Sequence, residues 1–204
     1  MRQQTYERIR DFCKEKNGYI SFHEFKEENI SIQQIKELVA EGKLEKICRG
    51  WYWCRFCGLE KPADYRFIEI SKADENAVIC LESACYFHGL LGEPPKEVCV
   101  STERTDRKQF KMNFPVSRHY LARKGYEGEV VRVESPYGSY QVFERERTVC
   151  DCLRLLETVP LERRLEMMVN YRELPDRDED RLLLYGKSLK AAGLMQMTLD
   201  SFQR

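Results

Sequence analysis

The chain has 204 residues, of which 42% are hydrophobic and 33% charged, enough for one or two domains with real cores. Lys plus Arg and Asp plus Glu both number 34, so any affinity for nucleic acid must come from local charge and not from a basic protein as a whole. No stretch approaches the roughly 20 apolar residues of a membrane span. The N-terminus has no apolar run that reads as a leader. The nine cysteines, an odd number, suggest reduced thiols in a cytoplasmic protein rather than a disulfide framework.

Residues 5–16 predict an amphipathic helix with Tyr6, Ile9, Phe12 and Cys13 on one face. The stretch 18–53 organises the reading. Ser21 and Glu24 have the spacing of a capping box and start a helix at Phe22. Asn29, Ile30 and Ser31 break it with turn chemistry. Ser31 and Gln34 form a second box, and Ile32, Ile35, Leu38 and Val39 share a face of the next helix. Gly42 suits its left-handed cap. Residues 44–48 and 51–53 then read as paired strands, with Arg49 and Gly50 at the bend. The order helix, strand, helix, turn, helix, hairpin predicts a winged helix-turn-helix over residues 1–57, whose charge is mildly basic, 11 Lys/Arg against 9 Asp/Glu.

In such a module the start of the second helix reads base edges, which makes Ser31, Gln33, Gln34 and Lys36 the candidates. A Gln amide matches the major-groove edge of adenine. Gln33 is favoured, because Gln34 cannot both cap the helix and read a base. Glu37 and Glu41 would repel phosphates further along. The DNA is therefore expected at the helix start and the wing, where Lys43, Lys46 and Arg49 are the phosphate or minor-groove candidates. Trp51 and Trp53 share a strand face and are expected to pack in a core. Cys54 and Cys57 form a C-x-x-C near Cys48, but no second pair or spaced histidines complete a zinc set, and no metal is expected.

Residues 58–70 predict a linker, and 71–204 a second domain. Within it, residues 72–88 read as a helix closed by Gly89, with His88 near its end as a packing or helix-end histidine. Pro94 and Pro95 break the chain, and Val98 to Val100 alternate as a strand. Residues 102–132 hold 8 Lys/Arg against 4 Asp/Glu. Arg104, Arg107, Lys108, Lys111, Arg118 and Arg123 there make a second nucleic-acid surface, a docking face for an acidic partner, or a solvated sheet edge. A hairpin is expected around 136–139. The run ERERTVCDCLRLLE at 144–157 begins a helix with Val149, Cys152, Leu153 and Leu156 buried. Residues 161–174 and 178–192 form a helical tail, with Gly193 as a stop and a short last helix from Met195.

Three of these stretches resemble the AbiEi family, the antitoxins of type IV toxin–antitoxin systems linked to abortive infection of phage. The wing CRGWYW at 48–53 is similar to the family's wing. AVICLESACYFHGL at 77–90 resembles its helix after the linker. Glu146, Arg147, Thr148 and Asp151 match its E-R-T-x-x-D motif. The resemblance spans residues 5–156 in order. It implies an α+β protein, a winged helix-turn-helix joined to an α/β antitoxin domain with a helical tail. It further implies a repressor of its own operon that binds inverted repeats in double-stranded DNA and opposes a nucleotidyltransferase-like toxin, without requiring a stable complex with it. It supplies no catalytic residues and no cofactor.

Two other classes compete with this reading. A stand-alone winged-helix transcription factor would use the second domain to sense a ligand or bind a partner. An enzyme is not expected. No P-loop, H-E-x-x-H or G-x-S-x-G occurs, and the E-x-K at Glu41 and Lys43 falls at the junction of helix and wing.

Overall fold

Two reciprocal capping boxes set the local structure of the N-terminal part. The Ser21 hydroxyl accepts from the Glu24 N–H at 3.2 Å, and the Glu24 carboxylate takes the Ser21 N–H at 2.8 Å. Ser31 and Gln34 repeat the arrangement at 3.2 and 2.8 Å. They start α2 (Phe22–Glu27) and α3 (Ile32–Ala40), and Asn29 makes the turn between them at φ 55. Before them come α1 (Gln3–Glu15) and β1 (Tyr19–Ser21); after them come β2 (Leu44–Cys48) and β3 (Trp51–Cys54). The computed structural model describes residues 2–106, 108–120 and 129–202.

The three strands form an antiparallel sheet in the order β1-β3-β2, with Tyr19 opposite Trp53 and Leu44 opposite Cys54. One face of the sheet carries Tyr52 and Cys54 and packs on a core of Ile9, Cys13, Ile20, Phe25, Ile35 and Leu38. The expected stripe on α3 is narrower than four residues. Ile35 and Leu38 are buried, but Ile32 is 56% exposed, because the first residue of the helix lies beyond the edge of the core. The other sheet face carries Trp53, which is buried, and Trp51, half-buried with the Lys72 ammonium 4.1 Å from its ring centroid. Lys72 belongs to α4 (Tyr65–Ala73).

The chain divides into two compact units. The first holds residues 1–75 together with 108–114 and 134–140. This differs from the expected boundary at 57 and linker at 58–70. The segment carries the start of α4, whose Phe67, Ile68, Glu69 and Ile70 are buried. Tyr19 donates to Glu69 at 3.1 Å. A stretch that buries such residues is part of a domain, although its Gly and Pro content suggested a linker.

The second unit is built on a mixed sheet in the order β6-β5-β4-β8-β7. The strands of this sheet are β4 (Val78–Ile79), β5 (Val98–Ser101), β6 (Val116–His119), β7 (Val130–Ser135) and β8 (Gly138–Phe143), of which residues 134–135 and 138–140 are counted with the first unit. Strand β4 runs antiparallel to β5 and parallel to β8. The expected continuous helix over 72–88 is therefore interrupted. Val78 and Ile79 fill a central strand, and only α5 (Leu81–Phe87) follows as helix. β-Branched residues with a place on both faces of a sheet override a helical pattern. Helices α6 (Arg145–Arg154), α7 (Leu161–Glu173), α8 (Glu179–Ser188) and α9 (Ala192–Phe202) complete the unit. Val149, Cys152, Leu153, Met167, Tyr171, Leu182, Met195 and Leu199 join them in one core. Leu156 lies past the end of α6 and is exposed. Helix α8 ends at Ser188, and beyond its cap Leu189 the chain turns at Lys190, which takes the left-handed φ 58 while Ala191 N–H reaches Gly186 O at 2.7 Å. Gly193, expected as the stop, lies inside α9.

Candidate nucleic-acid interface

Capping fixes what the start of α3 can offer. Gln34 folds back on Ser31, and its side chain is engaged there. Ser31, Gln33 and Lys36 are exposed, with Ile32 between them. The first turn thus presents a free amide, a cation and an apolar side chain, the set that reads adenine, phosphate and thymine methyl in a major groove. No acidic residue lies in that turn, so the partial positive charge of the helix start is not cancelled.

The β2–β3 hairpin lies beside the start of α2, where the Phe22 N–H donates to Gly50 O at 2.7 Å. Gly50 itself sits at φ 82, which favours glycine at the bend. Of the three cations expected here, the structure separates one from the others. Lys43 Nζ is 2.8 Å from Glu41 Oε2 and 3.7 Å from the Tyr6 ring centroid, and Tyr6 donates to the same carboxylate at 2.7 Å. Its charge closes the junction of α1 and β2, and the E-x-K pair is ion-paired to itself. Lys46 and Arg49 are exposed, and among the described residues neither has a carboxylate partner. They line an open cleft of about 690 Å³ with Gln109, Lys111 and Asn113.

The second basic set is dispersed. Lys111 reaches the cleft, and Lys108 is ion-paired with Asp74 at 3.0 Å. Arg104 is exposed, whereas Arg118 donates to Asp106 O at 3.3 Å. Arg107 and Arg123 lie outside the described residues. The three cysteines considered as a metal set are also divided. Cys48 pairs with Trp51 across the strands and Cys54 with Leu44, on opposite sheet faces. The third thiol near the C-x-x-C is Cys13 of α1, whose hydrogen bond holds Cys54 down at about 7 and raises Cys13. Only the fold brings this residue close, since forty residues separate it from Cys54.

The E-R-T-x-x-D residues are internal to the second unit. Arg147 is 1% exposed, and it donates to Asp151 at 2.8 Å and to Glu129. Arg154 closes on Asp151 at 2.6 Å, and the Thr148 hydroxyl donates to Glu144 O at 2.8 Å. Arg145, at the start of the same helix, binds Asp176 at 3.0 Å. Arg147 and Asp151 are thus the buried centre of an ion-paired network. A separate cleft of about 590 Å³ in this unit is lined by Glu82, Cys99, Ser117, His119, Pro160 and Arg163. Ser117 Oγ lies 3.2 Å from His119 Nε2, and burial holds His119 below the ordinary imidazole value. Arg163 is fixed by Glu82 at 3.0 Å and Glu93 O at 2.7 Å.

The fold defines a mixed α+β protein with a three-stranded N-terminal unit and a five-stranded second unit. No family model matches the chain, and no curated protein matches it. Among solved structures it is similar to the crystal structure of the RV2827C protein from Mycobacterium tuberculosis, with a TM-score of 0.72 at 12% identity, over 96% of this chain and 76% of that one. At that identity the likeness establishes the fold alone. Among the described residues no helix is long and apolar enough to cross a membrane.

Proposed function

We propose that the chain is a DNA-binding antitoxin and autorepressor of a type IV toxin–antitoxin operon, opposing a nucleotidyltransferase-like toxin. In this reading α1 to β3 form a winged helix-turn-helix, α3 is the recognition helix, and the β2–β3 hairpin is the wing. The observation that carries it is the start of α3. Its own cap engages Gln34 and leaves Gln33 and Lys36 exposed, beside a hairpin whose Lys46 and Arg49 have no carboxylate partner among the described residues. The resemblance of three stretches to the AbiEi antitoxins supports the operon and toxin parts of the reading. Mobility shift on the DNA upstream of the gene, over a salt series, tests it. Binding that weakens steeply with salt is expected. Absence of binding at low salt would overturn it.

The alternative, a winged-helix transcription factor with a ligand-sensing second unit, is favoured by one feature, the cleft that holds Ser117 and His119. A small molecule that raises the melting temperature of the wild type, but not of Ser117→Ala, would support it. An adjacent nucleotidyltransferase-like gene would favour the antitoxin.

A further inference from the structure

The cleft beside the wing has walls from two distant parts of the sequence. Lys46 and Arg49 come from the hairpin, and Gln109, Lys111 and Asn113 from the segment 108–114 of the same unit. That segment is held in place at three points. Asn113 Nδ2 donates to Glu45 Oε1 at 2.8 Å and to Lys46 O at 3.1 Å. Phe114 meets Tyr65 edge-on at 6.2 Å between ring centroids. Lys108 pairs with Asp74.

Neighbouring cations are mostly closed off by acids. Lys61 and Arg55 converge on Glu45, Lys61 also on Glu69, and Lys43 on Glu41. Burial pushes the Glu45 carboxyl up, but Arg55, Lys61 and Asn113 outweigh it and hold it below its ordinary value, so it is ionised and fully engaged. Lys46, Arg49 and Lys111, by contrast, have no carboxylate partner among the described residues. Three like charges converging on one cleft repel each other, and an anion between them removes that cost. Ile47, Cys48 and Ala73 supply a low-dielectric wall, and the amide of Gln109 supplies a neutral donor. The volume falls within the roughly 300–1,000 Å³ of small-ligand sites.

We infer that this cleft is a phosphate-binding site in which Lys111, contributed from outside the winged helix-turn-helix sequence, completes the wing. Its occupant is a backbone phosphate of duplex DNA beside the groove read by α3. This choice of occupant rests on the proposed DNA-binding function. A free phosphorylated ligand would use the same chemistry.

The test uses the full chain and three variants: Lys111→Ala; Arg104→Ala, an exposed cation that does not line the cleft; and the wing variant Lys46→Ala. Affinity for the upstream duplex is measured against salt, and amide NMR shifts of Lys46, Arg49 and Asn113 are followed during titration with inorganic phosphate and with a mononucleotide. Lys111→Ala and Lys46→Ala are each expected to flatten the slope of log affinity against log salt by about 0.9, and Arg104→Ala to leave it unchanged. If duplex binding is intact and only Lys111→Ala is silent, Lys111 is outside the site and the inference fails while the function stands. If no duplex binds but phosphate shifts those amides in the wild type and not in Lys111→Ala, the cleft is a phosphate site for a free ligand and the DNA reading fails. If neither duplex nor phosphate has an effect, the inference is overturned.

Discussion

The two units use the same residue types in opposite ways. In the first, Lys46 and Arg49 end at the surface, around a cleft, without acids among the described residues to close them. In the second, Arg147 is buried and closed by Glu129 and Asp151. The chain as a whole is neutral, with 34 charges of each sign. Net charge therefore says little about what this protein can hold. Where the acids sit relative to the bases decides it. A cation with an acid in contact stabilises a fold or joins two elements, and one without is available to an anion from outside.

The largest effect that can break this contrast lies in the second unit. Arg147→Met leaves Glu129 buried without its base and Asp151 with Arg154 alone, and should cost about 3–5 kcal/mol of stability. Denaturant melts would show it, and the triple variant Arg147→Met, Glu129→Gln, Asp151→Asn should recover part of the loss. A melt unchanged by Arg147→Met would mean that the network is not what holds α6. In the first unit the corresponding weak point is steric. An alanine at Gly18 would bring its Cβ to 2.5 Å from the Trp53 ring while the backbone holds φ +83. Gly18→Ala is expected to destabilise by about 2 kcal/mol or more. A wild-type melting temperature would show that Trp53 can move aside.

Two smaller effects sharpen the comparison. Gln33→Ala should reduce discrimination between operator and random DNA by about 1–3 kcal/mol, whereas Gln34→Ala should act mainly through loss of the cap. An operator-to-random affinity ratio untouched by Gln33→Ala would remove Gln33 as a reader. The smallest effect concerns pH. Burial holds His88 and His119 of the second unit below the ordinary imidazole value, and His88 Nε2 is 2.8 Å from Phe143 O. The fold prefers these rings neutral. Their contribution is therefore complete above the unfolded value of about 6.5, and is lost as pH falls through the lower folded value. Melting temperatures at pH 7.5 and 5.5 should show a drop that His88→Gln reduces. An identical drop in the variant would locate the acid sensitivity elsewhere.

What could be read from the sequence was local. The boxes at Ser21 and Ser31, the turn at Asn29, and the bends at Gly42 and Gly50 depend on residues within a few positions of each other, and they are found in place. What could not be read depends on distant partners. Val78 and Ile79 become a strand because β5 and β8 flank them. Lys190, rather than Gly193, takes the left-handed turn because Gly186 packs against Met195 there. Lys43 and Lys46 look alike in sequence, and the ion pair with Glu41 together with the ring of Tyr6, far earlier in the chain, distinguishes them. Lys111 carried no signal of its place beside the β2–β3 hairpin. Arg147 did carry one, since an acid stands four residues on at Asp151, the spacing of a helical ion pair.

On the proposed function, the cations of the first unit that lack an acid partner among the described residues meet DNA. The most direct test is the salt dependence of binding to the DNA upstream of the gene, for the full chain and for Lys43→Ala and the double variant Lys46→Ala, Arg49→Ala. The account predicts that the double variant flattens the slope by about two units and that Lys43→Ala leaves it unchanged. Equal slopes for all three proteins would contradict it.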